Sequence, residues 1–258
     1  MDSIPVIGTA IVNGVHWLQR LITSIDYPVD NFIIINNNGR GELTSELDNL
    51  VKPHEYIKHI HVCHMPSNLG CPAAWNLIIK SYIMSPYWII TNHDVAFTPG
   101  FLQEMYISAT NTDIGMVHGA SGEFGVGTWD IFLIKDWIVQ KYGLFDENLY
   151  PAYCEDWDYL LRFISEPINK TFITKPYYHG DTLEYAKSGS QTWREDTSLK
   201  AKLDYAREVN ESYYLTNKWG NSWWQFTPNN RYPYNNPQND PGYSKYDLNL
   251  IRHKYIGF

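Results

Sequence analysis

Asn92, His93 and Asp94 place three polar side chains, each able to bind a cation or a hydrogen-bonding ligand, at the end of a short apolar run. The run, residues 87–91, predicts a buried strand. Ligands of open α/β sheets bind at the carboxyl ends of strands, so this cluster is a candidate site for a cation and an anionic ligand. The alternative is structural, because Asn and Asp also favour turns by bonding their own backbone. This stretch alone leaves both interpretations open.

Glu155, Asp156 and Asp158 open a segment in which apolar residues recur at helical spacing, at Trp157, Leu160, Leu161 and Ile164. The pattern predicts a helix that starts near Glu155. Acids at a helix N-terminus are stabilised by the helix dipole whatever their function, and Asp158 with Arg162 forms an ordinary i,i+4 pair. A purely structural role for these acids therefore stays open.

Alternating strands and helices are expected to position both groups. Apolar, β-branched runs predict strands at residues 4–12, 32–35, 57–63 and 87–91. Strands separated by helices of this length imply right-handed crossovers and a mostly parallel sheet. All four strand ends should therefore lie along one edge.

The chain beyond residue 95 predicts a less regular set of elements. Thr98 is the expected N-cap of the next helix and Pro99 its first residue. The remaining expected elements are strands at residues 115–120 and 128–134 joined by a Gly-rich link, a short helix at 136–142 closed by Gly143, and a helix from Gln191 to about Tyr214. Beyond Trp219 the chain is rich in Asn, Pro and Tyr.

The composition favours a globular domain whose main partner is small or neutral. The 258 residues are 44% hydrophobic, enough for a sizeable core. A net charge of -8 and a pI near 5.5 argue against nucleic acid and anionic membranes, because both attract clusters of Lys and Arg. Ten Trp and 20 Tyr supply aromatic faces that pack in cores and also stack on sugars or bases.

The cysteines and the lack of a long apolar run predict a soluble protein of a reducing compartment, the cytoplasm. Cys63, Cys71 and Cys154 are odd in number and lack metal-type spacing. No signal peptide is expected, because Asp2 precedes a short apolar run without a basic start. No run reaches the ~18 apolar residues of a membrane span.

Five motifs, taken in order, resemble the inverting glycosyltransferases of the GT-A fold, family-2-like. They are the apolar first strand, the Asn68-Leu69-Gly70 loop with its helix, Asn92-x-Asp94-Val95 followed by Pro99-Gly100-Phe101-Leu102, Gly143-Leu144-Phe145-Asp146-Glu147, and Glu155-Asp156-Trp157-Asp158. The resemblance covers roughly residues 4–180, and Lys218-Trp219-Gly220 is similar to a tail seen in some members.

The resemblance implies a single α/β domain with a mostly parallel, Rossmann-like sheet flanked by helices. Residues 1–188 would form the GT-A domain, with a nucleotide-sugar half at about 1–100 and an acceptor half at about 101–188. Residues 189–258 would add a C-terminal helix and an aromatic-rich, irregular tail packed on the same domain.

The resemblance also implies a nucleotide-diphosphate sugar across the strand edge, a UDP-sugar first and a dTDP- or GDP-sugar as alternatives. A divalent cation, Mn²⁺ or Mg²⁺, would sit on the diphosphate, held by Asp94 and His179. Asn36 and Asn92 stand where the family often has Asp. The implied donor-binding residues are Thr9, Ile11, Asn36, Asn38, Asn68, Gly70, Asn76, Asn92 and His93.

The reaction implied is transfer of a hexosyl or pentosyl group, of EC 2.4 type, to a hydroxyl of a glycan or glycoconjugate. Asp156 matches the family's general base, with Glu155 as its competitor, and one displacement would invert the anomeric centre. Trp129, Trp157 and Trp224 are the expected acceptor contacts. Trp223, Trp224 and Phe226 have an alternative role, which is to anchor the tail to the core.

Three rival functions remain. A nucleotidyltransferase should show a basic Gly-rich loop after the first strand, and residues 9–16 contain no Lys or Arg. A carbohydrate-binding protein on a decayed transferase scaffold would explain Asn36 and Asn92. A retaining transferase would differ in product stereochemistry.

Overall fold

The computed structural model describes residues 2–122, 126–164, 167–183 and 190–225. Nine strands lie in this part of the chain: β1 (Ile4–Ile11), β2 (Val29–Asn36), β3 (Ile57–His64), β4 (Tyr87–Asn92), β5 (Val95–Phe97), β6 (Met116–His118), β7 (Ile131–Lys135), β8 (Lys170–Phe172) and β9 (Tyr177–His179). Seven of them form one sheet in the order β3-β2-β1-β4-β7-β6-β8, and β5 pairs with β9 in a second, two-stranded sheet.

The first four strands are parallel, as the helices between them predict. β1, β2 and β4 are largely buried, whereas β3 lies at the edge of the sheet and is mostly exposed or half-buried. Ile11 lies opposite Asn36, and Asn36 lies opposite His64 on the next strand. Ala10 lies opposite Asn92 on the other side of β1. The expectation that these strands end along one edge is confirmed. Strand β7 runs antiparallel to both β4 and β6.

The helices described are α1 (Val15–Thr23), α2 (Thr44–Asp48), α3 (Cys71–Ser81), α4 (Phe101–Thr110), α5 (Asp136–Tyr142), α6 (Glu155–Arg162), α7 (Gln191–Glu195), α8 (Thr197–Val209) and α9 (Thr216–Trp219). Helices α1 and α4 bury apolar residues in one core, and α3, α5 and α6 in another. Residues of the sheet alternate between the two cores, so the domain has three layers. No helix in the four described ranges has the length and hydropathy of a membrane span.

The start of α4 differs from the expectation. The helix begins at Phe101, and Gly100 with φ 79° occupies the position before it, so Thr98 is not the N-cap. The Thr98 hydroxyl instead donates to the carbonyl of Pro176. Strand β5 keeps residues 95–97 extended by pairing with β9, and the helix starts only after that pairing ends.

The helix expected from Gln191 to Tyr214 is interrupted. Helix α7 stops before Asp196, whose carboxylate accepts hydrogen bonds from the amides of Ser198 and Leu199 and so caps α8. Asn210–Leu215 then forms a π-helical turn that leads into α9. Phe226 and the rest of the expected aromatic tail lie outside the described residues.

Candidate active site

A cavity of about 500 Å³ lies at the carboxyl edge of the parallel strands. Ala10 and Asn92 bring the ends of β1 and β4 to its wall, and Asp156 brings the start of α6. Leu199 and Leu203 of α8 line it from the C-terminal segment. The strand-end cluster and the acidic helix start, far apart in sequence, therefore face one space.

Asp94 and His179 form the polar end of this cavity. Val95 of β5 lies opposite His179 of β9, and this pairing brings the Asp94 side chain to the imidazole. Nε2 of His179 lies 3.3 Å from Oδ1 of Asp94, and its Nδ1 lies 3.3 Å from Oδ2 of Asp130. Asp130 also accepts a 2.7 Å hydrogen bond from the hydroxyl of Tyr177.

The charges of this group depend on one another. Burial alone would raise the pKa of Asp94, but the 3.3 Å contact with His179, the charges of His93 and His179 and the amide of Gln191 lower it to about 2. Burial alone would lower the pKa of His179, whereas Asp130 and Asp94 raise it to about 10. Without a bound cation, the His179 imidazolium therefore offsets the negative charge of the carboxylates it contacts.

The Asp94–His179 pair fits a divalent cation. Oδ1 of Asp94 is buried and accepts no hydrogen bond of ordinary geometry from the described residues. Two atoms that bind one cation at about 2.1 Å and roughly 90° lie about 3 Å apart, close to the 3.3 Å separation here. Asp130 orients the imidazole as metal-binding histidines require. No group of three or more His, Cys, Asp or Glu side chains in the described ranges is arranged to hold a metal.

Glu155 and Asp156 form the second ionisable group of the cavity. Oδ1 of Asp156 accepts a 2.8 Å hydrogen bond from the amide of Trp157, which fixes the carboxylate at the helix start. Oε2 of Glu155 is buried without a hydrogen-bond partner among the described residues. The Cys71 thiol lies against Glu155, and burial together with the carboxylate raises its pKa well above the ordinary value.

Both carboxyl groups of this pair have raised pKa values. Burial raises the pKa of Asp156, and burial together with the charge of Asp156 raises the pKa of Glu155 further. Both carboxyl groups therefore bind a proton more tightly than exposed Asp and Glu side chains do, and the two titrate as a pair. The arrangement places a carboxyl pair that can accept a proton in the cavity wall.

The backbone before α6 is strained. Tyr153 and Cys154 have φ values of 74° and 77°, a conformation that costs side-chain-bearing residues free energy. Both residues precede Glu155 directly, so the strained turn sets the direction in which α6 starts. All three cysteines of the chain are free, as their spacing predicts.

The cavity brings together some of the expected site residues. Those that line it are Asn68, Asn92, His93, Asp94, Trp129, Asp156, Glu155, Trp157 and His179. Trp129 stacks on Trp75 at 6.5 Å between ring centroids, and its buried indole Nε1 has no hydrogen-bond partner in the described ranges. Asn38 lines a neighbouring cleft of about 320 Å³ that shares Asn68 with the cavity.

The other expected site residues lie away from the cavity. Thr9 and Ile11 are fully buried, and Asn36 is bonded to the His64 ring at 2.9 Å. Asn76 exchanges hydrogen bonds with the backbone of Phe145, a structural role. Gly70 packs against Tyr150 and Pro151, and Trp224 is 61% exposed. Ala10, Val12 and Asn37 line the cavity instead.

Asp130 is the main residue of the site that the sequence motifs do not indicate. It lies just before β7, outside every motif, and reaches His179 because β7 pairs with β4. The amide of Asn92 donates to the carbonyl of Asp130 at 2.7 Å, which ties the two strand ends together. An acid at the start of a strand after a Gly-rich link is a weak signal by itself.

One curated protein similar to this chain is described as a glycosyltransferase. A "Galactofuranosyl glycosyltransferase" of Leishmania donovani is 23% identical over 235 residues, which cover 66% of this chain and 54% of the relative. The chain therefore spans about half the length of the curated relative it matches.

Solved structures share the fold at low sequence identity. The mannosyltransferase PcManGT from Pyrobaculum calidifontis, solved with GDP-Man and Mn²⁺, is 11% identical, with a TM-score of 0.54 over 82% of this chain and 68% of its own. TarS 1–349 of S. aureus, solved with UDP-GlcNAc, is 11% identical, with a TM-score of 0.53 over 81% of this chain and 67% of its own.

These likenesses show the GT-A fold that the sequence motifs imply: a mostly parallel sheet flanked by helices. The family model described as "Glycosyl transferase family 2" matches residues 7–165, more than half of the 258-residue chain. The chain belongs to glycosyl transferase family 2.

Proposed function

We propose that this protein transfers a sugar from a nucleotide-diphosphate sugar to a hydroxyl group of a glycan or glycoconjugate, with inversion of the anomeric centre. One observation carries the proposal: a single cavity is lined by the Asp94–His179 pair and by the Glu155–Asp156 pair. The first pair suits a diphosphate with its cation, and the second suits removal of a proton from an incoming hydroxyl.

The donor is proposed to span the cavity and the neighbouring cleft. Its sugar and diphosphate would occupy the cavity beside Asp94, and its nucleoside the cleft lined by Asn38, Arg40 and Lys202. Asn68 lines both spaces and would lie near their junction. A UDP-sugar is the first candidate, with dTDP- and GDP-sugars as alternatives. The solved relatives bound to UDP-GlcNAc and GDP-Man support a nucleotide sugar as a class.

A divalent cation, Mn²⁺ or Mg²⁺, is proposed to be held by Oδ1 of Asp94 and Nε2 of His179. Bound there, it would offset the negative charge that develops on the diphosphate as the sugar departs. Asp130 would keep Nδ1 of His179 protonated and so present Nε2 to the cation. Diphosphate oxygens would complete the coordination, which is common for Mg²⁺ sites with few protein ligands.

Asp156 is proposed to accept the proton of the acceptor hydroxyl. Its carboxylate is fixed in the cavity wall by the hydrogen bond from the Trp157 amide, and burial raises its pKa above the ordinary value, which favours uptake of a proton. A hydroxyl is a weak nucleophile until its proton is taken, and a positioned carboxylate does this as the new bond forms. The acceptor oxygen then attacks the anomeric carbon from the side opposite the departing diphosphate, which inverts that centre.

The acceptor is proposed to enter along the aromatic wall of the cavity, where Trp129 and Trp157 lie. Aromatic faces bind the apolar faces of sugar rings. The transferred group would be a hexosyl or pentosyl unit. We propose the same division of the chain as the sequence suggests: a GT-A domain to residue 188, and a C-terminal extension packed on it that supplies Leu199 and Leu203 to the cavity.

The proposed function is tested in two steps. A thermal-shift screen of UDP-, dTDP- and GDP-sugars, each with and without Mn²⁺ or Mg²⁺, should show one nucleotide class that stabilises the protein more strongly with metal. Incubation of that donor with a panel of glycan acceptors should then yield an inverted linkage by NMR. Donor binding without transfer or hydrolysis would indicate a carbohydrate-binding protein, and a retained linkage would refute the inverting mechanism.

A further inference from the structure

The C-terminal helical segment, Asn210–Trp219, packs directly on the turn and helix that carry the acidic pair. Tyr214, Leu215 and Trp219 share a buried cluster with Cys154 of that turn and Leu161 of α6. Trp223, just beyond the segment, packs edge-on against Trp157 with ring centroids 6.4 Å apart. The segment and Trp223 therefore contact residues on both sides of Glu155 and Asp156.

Asn210 holds the strained turn before Glu155. Its side-chain amide donates hydrogen bonds to the carbonyls of Ala152 at 3.3 Å and Tyr153 at 3.0 Å. Asn210 is completely buried, so water does not compete for these carbonyls. Because Tyr153 and Cys154 are in the left-handed region, the turn needs outside contacts to stay in this conformation.

Lys218 and Trp219 hold α6 itself. Nζ of Lys218 lies 2.6 Å from both Oδ2 of Asp146 and Oδ1 of Asp158, and the Trp219 indole donates to Asp158 at 2.8 Å. Arg162 donates to the other oxygen of Asp158 at 2.6 Å. All four charged side chains are buried, so two cations and two carboxylates balance in a space without bulk water.

The spacing of the segment lets one face carry Asn210, Tyr214 and Lys218. Asn210, Tyr214 and Lys218 recur at four-residue intervals, which places them along one side of a helix. The Tyr214 hydroxyl donates to Oδ2 of Asp146 at 2.6 Å, between the contacts of Asn210 and Lys218. The π-helical turn Asn210–Leu215 occurs within this same stretch, and π turns are frequent at functional sites.

We propose that Asn210 and Lys218 are positioning residues for the acidic pair. Asn210 fixes the turn on the N-terminal side of Glu155 and Asp156, and Lys218 fixes the rotation of α6 on their C-terminal side. Neither touches the cavity, so each acts only through the acids that it orients. The inference rests on the proposed function for its catalytic consequence, and on the contacts alone for its structural one.

Asn210→Leu tests the proposal with an uncharged side chain of similar size that cannot donate. Asn217→Leu, at an exposed position of the same segment, is the matched control. Asn210→Leu should lower kcat for sugar transfer by ~10–100-fold, because small misplacements of a catalytic group cost that much, while the dissociation constant of the donor changes less than about twofold. Asn217→Leu should leave both values unchanged.

A second readout does not depend on transfer activity. The ¹³C chemical shift of the Glu155 carboxyl, assigned with Glu155→Gln, reports its titration in the labelled protein. Asn210→Leu should move that titration and Asn217→Leu should not. If the wild-type protein transfers no sugar, the proposed function fails, and this titration still decides the positioning role.

Asn210→Ser, which keeps one donor, covers the case in which Asn210→Leu does not fold. It should lower kcat less than Asn210→Leu and should move the Glu155 titration in the same direction. A folded Asn210→Leu or Asn210→Ser protein with wild-type kcat and an unmoved Glu155 titration overturns the proposal.

Discussion

Nε2 of His179 faces Oδ1 of Asp94 at 3.3 Å, and this contact depends on two short strands that the sequence does not predict. Strands β5 and β9 pair antiparallel and leave Asp94 and His179 side by side at one end of their ladder. The amide of Gly180 also donates to the carbonyl of Asp94 at 2.7 Å. Backbone pairing of β5 with β9 therefore fixes the relative positions of Asp94 and His179.

Asp94→Asn should remove most metal-dependent donor binding. The amide keeps the volume and an acceptor for the Gln191 backbone but loses the negative charge that a hard cation requires. Calorimetry with the nucleotide diphosphate should show a gain in affinity with Mn²⁺ for the wild type, and ~10-fold less gain or none for the variant. Asp113→Asn, at an exposed position, is the control. An equal gain in both variants would remove Asp94 from the cation site.

Asp130→Asn should weaken metal binding without removing a proposed ligand. Asp130 holds Nδ1 of His179, and loss of such an orienting carboxylate typically lowers metal affinity ~10–100-fold. Tyr177→Phe deletes the 2.7 Å hydrogen bond to Asp130 and should have a smaller effect in the same direction. Mn²⁺ titration followed by electron paramagnetic resonance measures both. Wild-type Mn²⁺ affinity in Asp130→Asn would contradict the assigned role.

Glu155→Gln should change how stability depends on pH. The pKa of Glu155 is raised in the folded protein by burial and by Asp156, so the unfolded chain loses this proton first as pH rises above ~4.3. The wild type therefore loses free energy of unfolding between that pH and the raised pKa, and the variant lacks this loss. Urea unfolding at pH 5 and pH 8 should show the variant gaining at least about 1 kcal/mol relative to wild type, since one pKa unit corresponds to ~1.4 kcal/mol.

The control for that measurement is Glu208→Gln, at an exposed position of α8. Its difference from wild type should be the same at both pH values. A Glu155→Gln protein that behaves like this control would show that Glu155 has no raised pKa in the folded state.

Trp157→Ala should raise the acceptor KM by roughly 10-fold and leave donor affinity unchanged, because Trp157 lines the aromatic wall of the cavity. Trp224→Ala makes the matched comparison. The sequence predicts an acceptor contact at Trp224 as well, but its side chain is 61% exposed and outside the cavity wall, so a smaller rise is expected. Steady-state kinetics with varied acceptor separates the two. A larger rise for Trp224→Ala would move the acceptor to the C-terminal surface.

The sequence predicts the overall sheet well because its apolar runs are long and lie between helices. It predicts which strand ends meet, but it is less informative about which side chain at each end faces the cavity. Thr9 and Ile11 were expected there, whereas Ala10 and Val12 line it. Successive residues of a strand point to opposite faces of the sheet, so a one-residue difference in register moves every side chain of the strand to the other face.

Long-range pairing explains the other residues that the sequence does not predict. Asp130 reaches His179 only because β7 pairs with β4, and Asn210 reaches Tyr153 only through the folded chain, 57 residues away in sequence. Asn210 is carried there by the segment Asn210–Trp219, which packs on Cys154 and Leu161. Neither residue belongs to a local motif. Lys218 and Trp219 do belong to one, yet their contacts with Asp146 and Asp158 require the folded arrangement of three separate segments.

Asp156→Asn tests most directly whether Asp156 removes the acceptor proton. The amide keeps the shape of the side chain and an acceptor for the Trp157 amide, but it cannot take a proton. Transfer in single-turnover experiments should fall ~10²–10⁴-fold, with donor and metal affinity close to wild type, while Glu155→Gln retains most activity. An Asp156→Asn protein that transfers sugar at close to the wild-type rate, beside an inactive Glu155→Gln protein, would contradict the claim and assign the base to Glu155.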